Sequence, residues 1–452
     1  MGAGEAFDVA YDHIQKRLDT GVLQKKPIEY GFIKKDNRGE TVTLSFAIRN
    51  GKLEDLMNKG MVAGYAARML NKGTNTKSRQ DIEDKLSAIK SSVYFSGSNG
   101  RLTANITSTK ENLNEALMLM TDMIKNPVFD AEELEKIKTQ SLAGIEESKS
   151  EPQSLASRKI GLINQKYEKG HPLYNMTIDE EIEAIKNVSV DDLKDYHKNF
   201  YGISNSATLT AIGNIEEQEL KDYFDKEFGD FKSDLAFSPI QNKFRGNVPA
   251  NEKILTPDKK NAFTLGTLSF ECSQDDDDYA ALQIAGEIFG GGFLNSRIAN
   301  RLRQQDGVSY GAGGAVRVDD EKADKNSMAF IYAIYAPENA AKVQLGFKEE
   351  IARFIDGGIT EEEIKSAVNG WVQEQNVSRA KDNELLRLIN NNIYYDRDIM
   401  FQKNIEDKVS SLKVEDVNKA IKKYFKSYEN WTVVNAGDFE NFDIKNSDKK
   451  VD

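Results

Sequence analysis

Val190-Asp191-Asp192-Leu193, Phe200-Tyr201, Thr208 and Gly213-Asn214 form a pattern that returns 224 residues later. The second copy is Val414-Glu415-Asp416-Val417, Tyr424-Phe425, Thr432 and Gly437-Asp438. Each copy reads as a helix, a turn and an apolar strand closed by Gly-Asn or Gly-Asp. A second pair lies 230 residues apart: Phe129-Asp130-Ala131-Glu132-Glu133-Leu134 and Ile359-Thr360-Glu361-Glu362-Glu363-Ile364. Both open a helix after a turn, with acids in the first turn where the helix dipole favours them. A period near half of the 452 residues indicates a duplicated domain rather than a solenoid, whose repeats run ~20–50 residues.

Working outward, each half mixes both element types. Strand-like runs occupy 41–48, 102–107, 264–270 and 328–335, and Ile28-Glu29-Tyr30-Gly31-Phe32-Ile33 reads the same way. Helical runs occupy 78–90, 113–125, 132–150 and 359–380. The expected fold class is α+β: two homologous domains, each a mostly antiparallel sheet with helices packed on one face. Residues 6–23 read as an amphipathic helix with Phe7, Ala10, Ile14 and Leu18 on one side. The expected boundaries are an N-terminal helix or linker at 1–19, a first domain at 20–232, a linker at 233–257 and a second domain at 258–452. The linker contains Pro239, Pro249 and Pro257 amid polar residues.

Hydrophobic content of 39% with 30% charged residues fits a globular chain, and the net charge of −12 argues against nucleic acid or an anionic membrane as partner. No apolar run approaches the ~20 residues of a membrane span. The N-terminus lacks the apolar core of a signal peptide. One cysteine, Cys272, excludes an intrachain disulfide and reads as a buried bystander at a strand end.

Three histidines exist, His13, His171 and His197, far apart and none with a Glu at helical metal spacing. They point to no metal site. Asp275-Asp276-Asp277-Asp278 lacks the alternation and Gly of a calcium loop and reads as an acidic helix start. Gly290-Gly291-Gly292 has no following Gly-Lys-Ser/Thr, so it is not a phosphate-binding loop. The stretch continues as Phe293-Leu294-Asn295-Ser296-Arg297-Ile298, through Leu302-Arg303 to Gly307-Val308-Ser309-Tyr310. The spacing predicts a helix over 296–305, a glycine stop at Gly307 and a strand starting at Tyr310. Arg303 in the last turn reads, by itself, as a cation on its own helix dipole, and Tyr310 as a packed strand residue.

Four segments together carry a resemblance: Gly64-Tyr65-Ala66-Ala67-Arg68-Met69-Leu70-Asn71-Lys72-Gly73-Thr74, Asn126-Pro127-Val128-Phe129, the glycine-rich stretch with Arg303 and Tyr310, and Val434-Asn435-Ala436-Gly437-Asp438. The chain resembles the pitrilysin/insulinase (inverzincin) zinc metallopeptidases from about residue 20 to Phe439. That family carries His-x-x-Glu-His before the Gly-Thr. Aligned on Gly73-Thr74, Gly64 and Arg68 stand where the two His ligands belong, and Ala67 where the general-base Glu belongs. Glu146 approximates the third ligand. Zinc needs neutral imidazoles and its bound water needs a carboxylate base. Gly and Ala supply neither, and Arg⁺ repels the metal. No metal is therefore expected in this chain, and Glu146 reads as part of a solvated helix face with Glu147.

The resemblance further implies a half-shell enclosing a chamber for unfolded peptides. In such halves an Arg and a Tyr seven residues later reach the zinc site of the other half, and Arg303 and Tyr310 have that spacing. Both side chains donate hydrogen bonds suited to a developing oxyanion. The implied role is the non-catalytic C-terminal half or partner subunit of a zinc-dependent peptidase, inactive alone. Its partner would be a zinc-bearing half, fused or separate, and its ligand a peptide. The bacterial periplasm or cell envelope is the compartment the resemblance implies. Two alternatives stay open: a structural or assembly subunit on the same fold, and a self-sufficient zinc peptidase with a displaced site.

Overall fold

A computed structural model describes residues 3–292 and 295–440. Phe293, Leu294 and the last part of the 258–452 domain, from 441 on, lie outside the described residues. Among those described, the strands form two sheets. The first contains β1 (Leu18–Val22), β2 (Ile28–Lys34), β3 (Thr41–Arg49), β4 (Ser92–Ser98), β5 (Arg101–Thr109) and β6 (Ala207–Gly213), in the order β1-β2-β6-β3-β5-β4. The second contains β7 (Ala250–Leu255), β8 (Ala262–Glu271), β9 (Gly311–Arg317), β10 (Asn326–Tyr335) and β11 (Thr432–Gly437), in the order β7-β11-β8-β10-β9.

The two orders are the same once β1 is set aside. In each sheet a late strand enters between two early ones: β6 runs parallel to β2 and antiparallel to β3, and β11 runs parallel to β7 and antiparallel to β8. The remaining pairs are antiparallel. The repeated Thr208 and Thr432 therefore occupy equivalent ladder positions. Both inserted strands are buried along their whole length, which is why they read as short apolar runs without alternation. The α+β expectation of two homologous sheet-and-helix domains holds.

The long helices start where their caps dictate. Asp130 accepts from the Glu133 amide at 3.0 Å, and Thr360 with Glu363 forms a reciprocal capping box. Helices Leu113–Lys125 and Ala131–Ser148 belong to one half, and Ala340–Gly357 and Glu361–Ala380 are their counterparts. Each domain's own helices bury one face of its sheet, forming the two main cores.

The opposite face of each sheet is covered by the other half. Helix Pro152–Ile163 leaves the first half and lays Ala156 and Ile160 against Phe263, Val434 and Ala436 of the second sheet. Helix Asp382–Tyr394 does the reverse, setting Leu385, Leu386 and Ile389 on Ile33 and Ile212 of the first sheet. Tyr11 and Ile14 join that second seam. Arg379 anchors the N-terminal segment there, donating to Val9 O at 2.9 Å and to Tyr11 Oη at 2.6 Å.

Two local expectations are corrected. The 6–23 helix is confined to Tyr11–Arg17, and residues from Leu18 form β1. Leu18 takes extended backbone angles, and pairing β1 with β2 satisfies backbone groups that a longer helix would leave unmatched with the sheet edge. The 233–257 linker contains β7, an edge strand whose alternating burial and charged Glu252 and Lys253 make it read as a polar connector.

Candidate functional site

Helix Gly60–Met69 carries the degenerate motif and lies across edge strand β4. Its approach is close because the facing residues are small. A Cβ placed on Gly97 of β4 would stand 2.7 Å from Ala67 Cβ and 3.1 Å from Ala63 O. Gly64 has the Gly97 carbonyl as its nearest neighbour, at 3.9 Å from an ideal Cβ. Ala67 is 2% exposed. Strand β4 thus crowds Ala67, whereas Gly64 keeps ordinary clearance and Arg68 is exposed. Gly97 went unremarked in the sequence, although a glycine inside a strand pattern signals close backbone approach.

Arg68 points elsewhere. It donates to Ser141 Oγ at 3.0 Å, and its guanidinium carbon lies 5.1 Å from the Tyr65 ring centroid. Ser141 belongs to helix Ala131–Ser148, the helix that bears Glu146. Glu146 is exposed and pairs with Lys149 at 2.8 Å. The residues present do not fit a zinc ion: the three motif positions offer no donor except a cation, and their helix is packed against β4. Among the described residues no three His, Cys, Asp or Glu side chains are grouped to hold a metal.

The histidines are used separately. His197 Nε2 meets Ile124 O at 2.7 Å, and burial holds its pKa below the ordinary value. His171 stacks on Tyr167 at 4.2 Å and is also lowered by burial. His13 packs edge-on to Phe7. The four aspartates are each matched by a cation: Asp275 by Arg397, Asp276 by Lys325, Asp277 by Lys408 and Asp278 by Lys423.

In the second half, the helix starting at Tyr279 runs on through Gly291 and lies over edge strand β9, as the motif helix lies over β4. Here the approach is tighter. A Cβ on Gly290 would be 2.5 Å from the Gly314 amide nitrogen. That backbone contact explains the glycine at 290 without any phosphate. Helix Arg297–Ala299 then begins at Ser296, whose Oγ accepts from the Ala299 amide, and continues as a wider π-type helix over Asn300–Gln305. Gly307 at φ +61° turns the chain back. The amides of Val308 and Ser309 return to Leu302 O at 2.9 and 3.2 Å, and the Tyr310 amide joins Ile334 O at 2.9 Å. The residue after Leu302 and the residue after Ser309 are thus held on adjoining segments.

Those residues are Arg303 and Tyr310. Tyr310 is 65% exposed and Arg303 is exposed, and among the described residues neither side chain has a hydrogen-bond or ionic partner. The neighbouring arginines differ. Arg297 grips Glu363 through two bonds of 2.8 and 2.7 Å and also donates to Gly358 O. Arg301 pairs with Asp306 and Glu349. Of the three arginines on this helix, only Arg303 has no structural task among the described residues.

Comparison with known proteins fits this geometry. Residues 32–176 match the family model for insulinase (peptidase family M16), and residues 187–370 match that for the peptidase M16 inactive domain. The chain is 22% identical over 378 residues to a protein of Helicobacter pylori named non-peptidase homolog YmxG, covering 82% of this chain and 83% of that one. The fold superposes on the peptidase M16 inactive domain from Pseudomonas fluorescens with a TM-score of 0.80 at 20% identity, over 93% and 98% of the two chains. It also superposes on the periplasmic protease PqqL from Escherichia coli with a TM-score of 0.72 at 14% identity, over 96% of this chain but 46% of PqqL. With the duplicated sheets and the two domain models in sequence, the chain belongs to the insulinase family of peptidases, family M16.

Proposed function

We propose that this protein is the non-catalytic half of a zinc-dependent peptidase, closing a peptide-binding chamber over a zinc-bearing half. The observation that carries the reading is the contrast between its two edge-strand sites. The first offers no metal donor at Gly64, Ala67 or Arg68, and Ala67 is buried. The second keeps Arg303 and Tyr310 exposed, on adjoining segments and free of structural work among the described residues. A guanidinium and a phenol in that position can donate to an oxyanion forming on a neighbouring subunit, where fixed donors act with little reorganisation. The similarity to a non-peptidase homologue and to an inactive domain supports inactivity of the isolated chain. The match to just under half of PqqL supports a partner of similar size and a periplasmic setting. Among the described residues no helix is long and apolar enough to cross a membrane.

The test mixes the chain with a zinc-bearing M16 half and measures peptide cleavage. Arg303→Ala and Tyr310→Phe should lower kcat/KM by roughly 10–1000-fold at equal assembly, the range for lost oxyanion donors. Wild-type rates for both variants would refute the assignment. The isolated chain should carry no stoichiometric zinc and cleave no peptide. Metal analysis giving one zinc per chain, with chelator-sensitive cleavage, would overturn that part.

A further inference from the structure

The seam between the first sheet and helix Asp382–Tyr394 contains a charge pair that the fold leaves unbalanced. Arg49 ends β3 and Arg101 begins β5, and the two are direct cross-strand neighbours. Like charges in that relation repel. Arg49 is 3% exposed. Its Nη1 donates to Thr208 Oγ1 at 2.9 Å and Ser206 Oγ at 3.3 Å, both neutral, while its buried Nε has no partner among the described residues. Neither guanidinium forms an ion pair among the described residues. Both lie on one aromatic ring: the Tyr394 centroid is 4.7 Å from Arg49 Cζ and 5.1 Å from Arg101 Cζ.

Buried cations are ordinarily paired, because desolvation is otherwise uncompensated. Here burial, and then the charge of Arg101, push Arg49 down to about 10. The opposing influences are Tyr394, Glu29 and Tyr395. Glu29 lies beside Thr208 in the ladder, and burial raises its own pKa. One carboxyl beside two tyrosines does not match two guanidiniums. Arg101, unlike Arg49, is open to solvent.

We propose that Arg49, Arg101 and Tyr394 form a binding site for one small oxyanion of the carboxylate or phosphate class. Arg101 would meet it from solvent, Arg49 would supply the second charge from beneath, and Tyr394 would keep both guanidiniums in place. The site lies at the seam between the first sheet and helix Asp382–Tyr394 and does not depend on the role given to Arg303 and Tyr310.

The experiment uses the full chain, wild type and Arg101→Gln, with thermal unfolding and titration calorimetry in sodium chloride, sodium acetate and sodium phosphate at matched ionic strength. In chloride, Arg101→Gln should melt at or above wild type, because the repulsion is gone. Acetate or phosphate should raise the wild-type melting temperature above its chloride value and bind with a Kd at least tenfold tighter than to the variant. A preference for phosphate identifies the phosphate class, and a preference for acetate the carboxylate class. Equal melting in all three salts, equal shifts in the variant, or a variant melting far below wild type in chloride would each overturn the proposal. The last outcome would make the pair purely structural. Arg49→Lys keeps the charge but loses the fork, and should weaken binding without matching the stability gain of Arg101→Gln.

Discussion

Returning a glutamate to the motif helix tests whether the site is merely vacant or packed shut. Ala67→Glu places a carboxyl at a position 2% exposed, where Ala67 Cβ already stands 2.7 Å from the point a Cβ on Gly97 would occupy. Two costs follow. Forcing extra atoms between helix and strand costs about 1–3 kcal/mol. Burying a carboxyl without a cation raises its pKa, since Arg68 is engaged with Ser141 and Tyr65. A rise of about two units is worth about 2.7 kcal/mol at neutral pH. The expected loss is about 4–6 kcal/mol at pH 7. The charge-dependent share has a definite sign. A carboxyl with a raised folded-state pKa binds protons more tightly in the native state, so the deficit shrinks as pH falls towards the unfolded value near ~4.3 and is fully present above the raised pKa. Ala67→Gln carries the crowding without the titration, so its deficit should not vary over that window. Urea unfolding followed by circular dichroism is the assay, because both tryptophans, Trp371 and Trp431, lie in the other half. A deficit for Ala67→Glu below about 1 kcal/mol at pH 7, or one equal to that of Ala67→Gln at every pH, would refute the reasoning.

Gly97→Ala should cost about 1–3 kcal/mol, and adding Ala67→Gly should recover part of it, with a coupling of about 0.5–3 kcal/mol in a double-mutant cycle. Arg297→Ala should destabilise by about 3 kcal/mol, since it strands the half-buried Glu363. Arg303→Ala should stay within about 0.5 kcal/mol, and equilibrium unfolding separates the two. Burial works to raise the Glu363 pKa, but bonds from Arg297 outweigh it and leave the carboxyl below its ordinary value. The stability this pair contributes should therefore be present above the unfolded pKa and be lost as pH falls through the folded one, in wild type and not in Arg297→Ala. Cys272 is fully buried, and burial pushes its thiol up to about 11. Iodoacetamide should modify it slowly in the native chain and rapidly in urea, as mass spectrometry would record.

The duplication was legible because β6 and β11 are buried on both sides, so their sequences are held to the same short apolar form. Helix starts were legible where capping residues stand beside acids, as at Asp130 and Thr360. β1 and β7 were not, because an edge strand with one wet face has no apolar run to announce it. The absence of metal donors at Gly64, Ala67 and Arg68 could be read from side-chain chemistry alone. The close approach of Gly97 to Ala67 could not, since it depends on a helix–strand distance. The pairing of Arg49 with Arg101 was hidden for a similar reason: register joins residues far apart in sequence, and no spacing rule reports it. Arg303 and Tyr310 carried a spacing signal, but only the structural employment of Arg297 and Arg301 sets Arg303 apart from them.

The exchange of helices Pro152–Ile163 and Asp382–Tyr394 has a consequence for how the chain comes into being. The strands of the first sheet are all synthesised by residue 213, yet Ile33 and Ile212 await Leu385 and Ile389. A ribosome adding ~5–20 residues per second leaves that face wet for on the order of ten seconds. During that interval the nascent first half exposes an apolar sheet surface whose natural cover is still unmade. The same half already carries the Pro152–Ile163 helix meant for a sheet that does not yet exist. A nascent chain of this design is an attractive client for a holding chaperone. Severing the 233–249 segment would not release two independent domains. It would yield two fragments that each need the other to exclude water, and that should regain structure only when mixed.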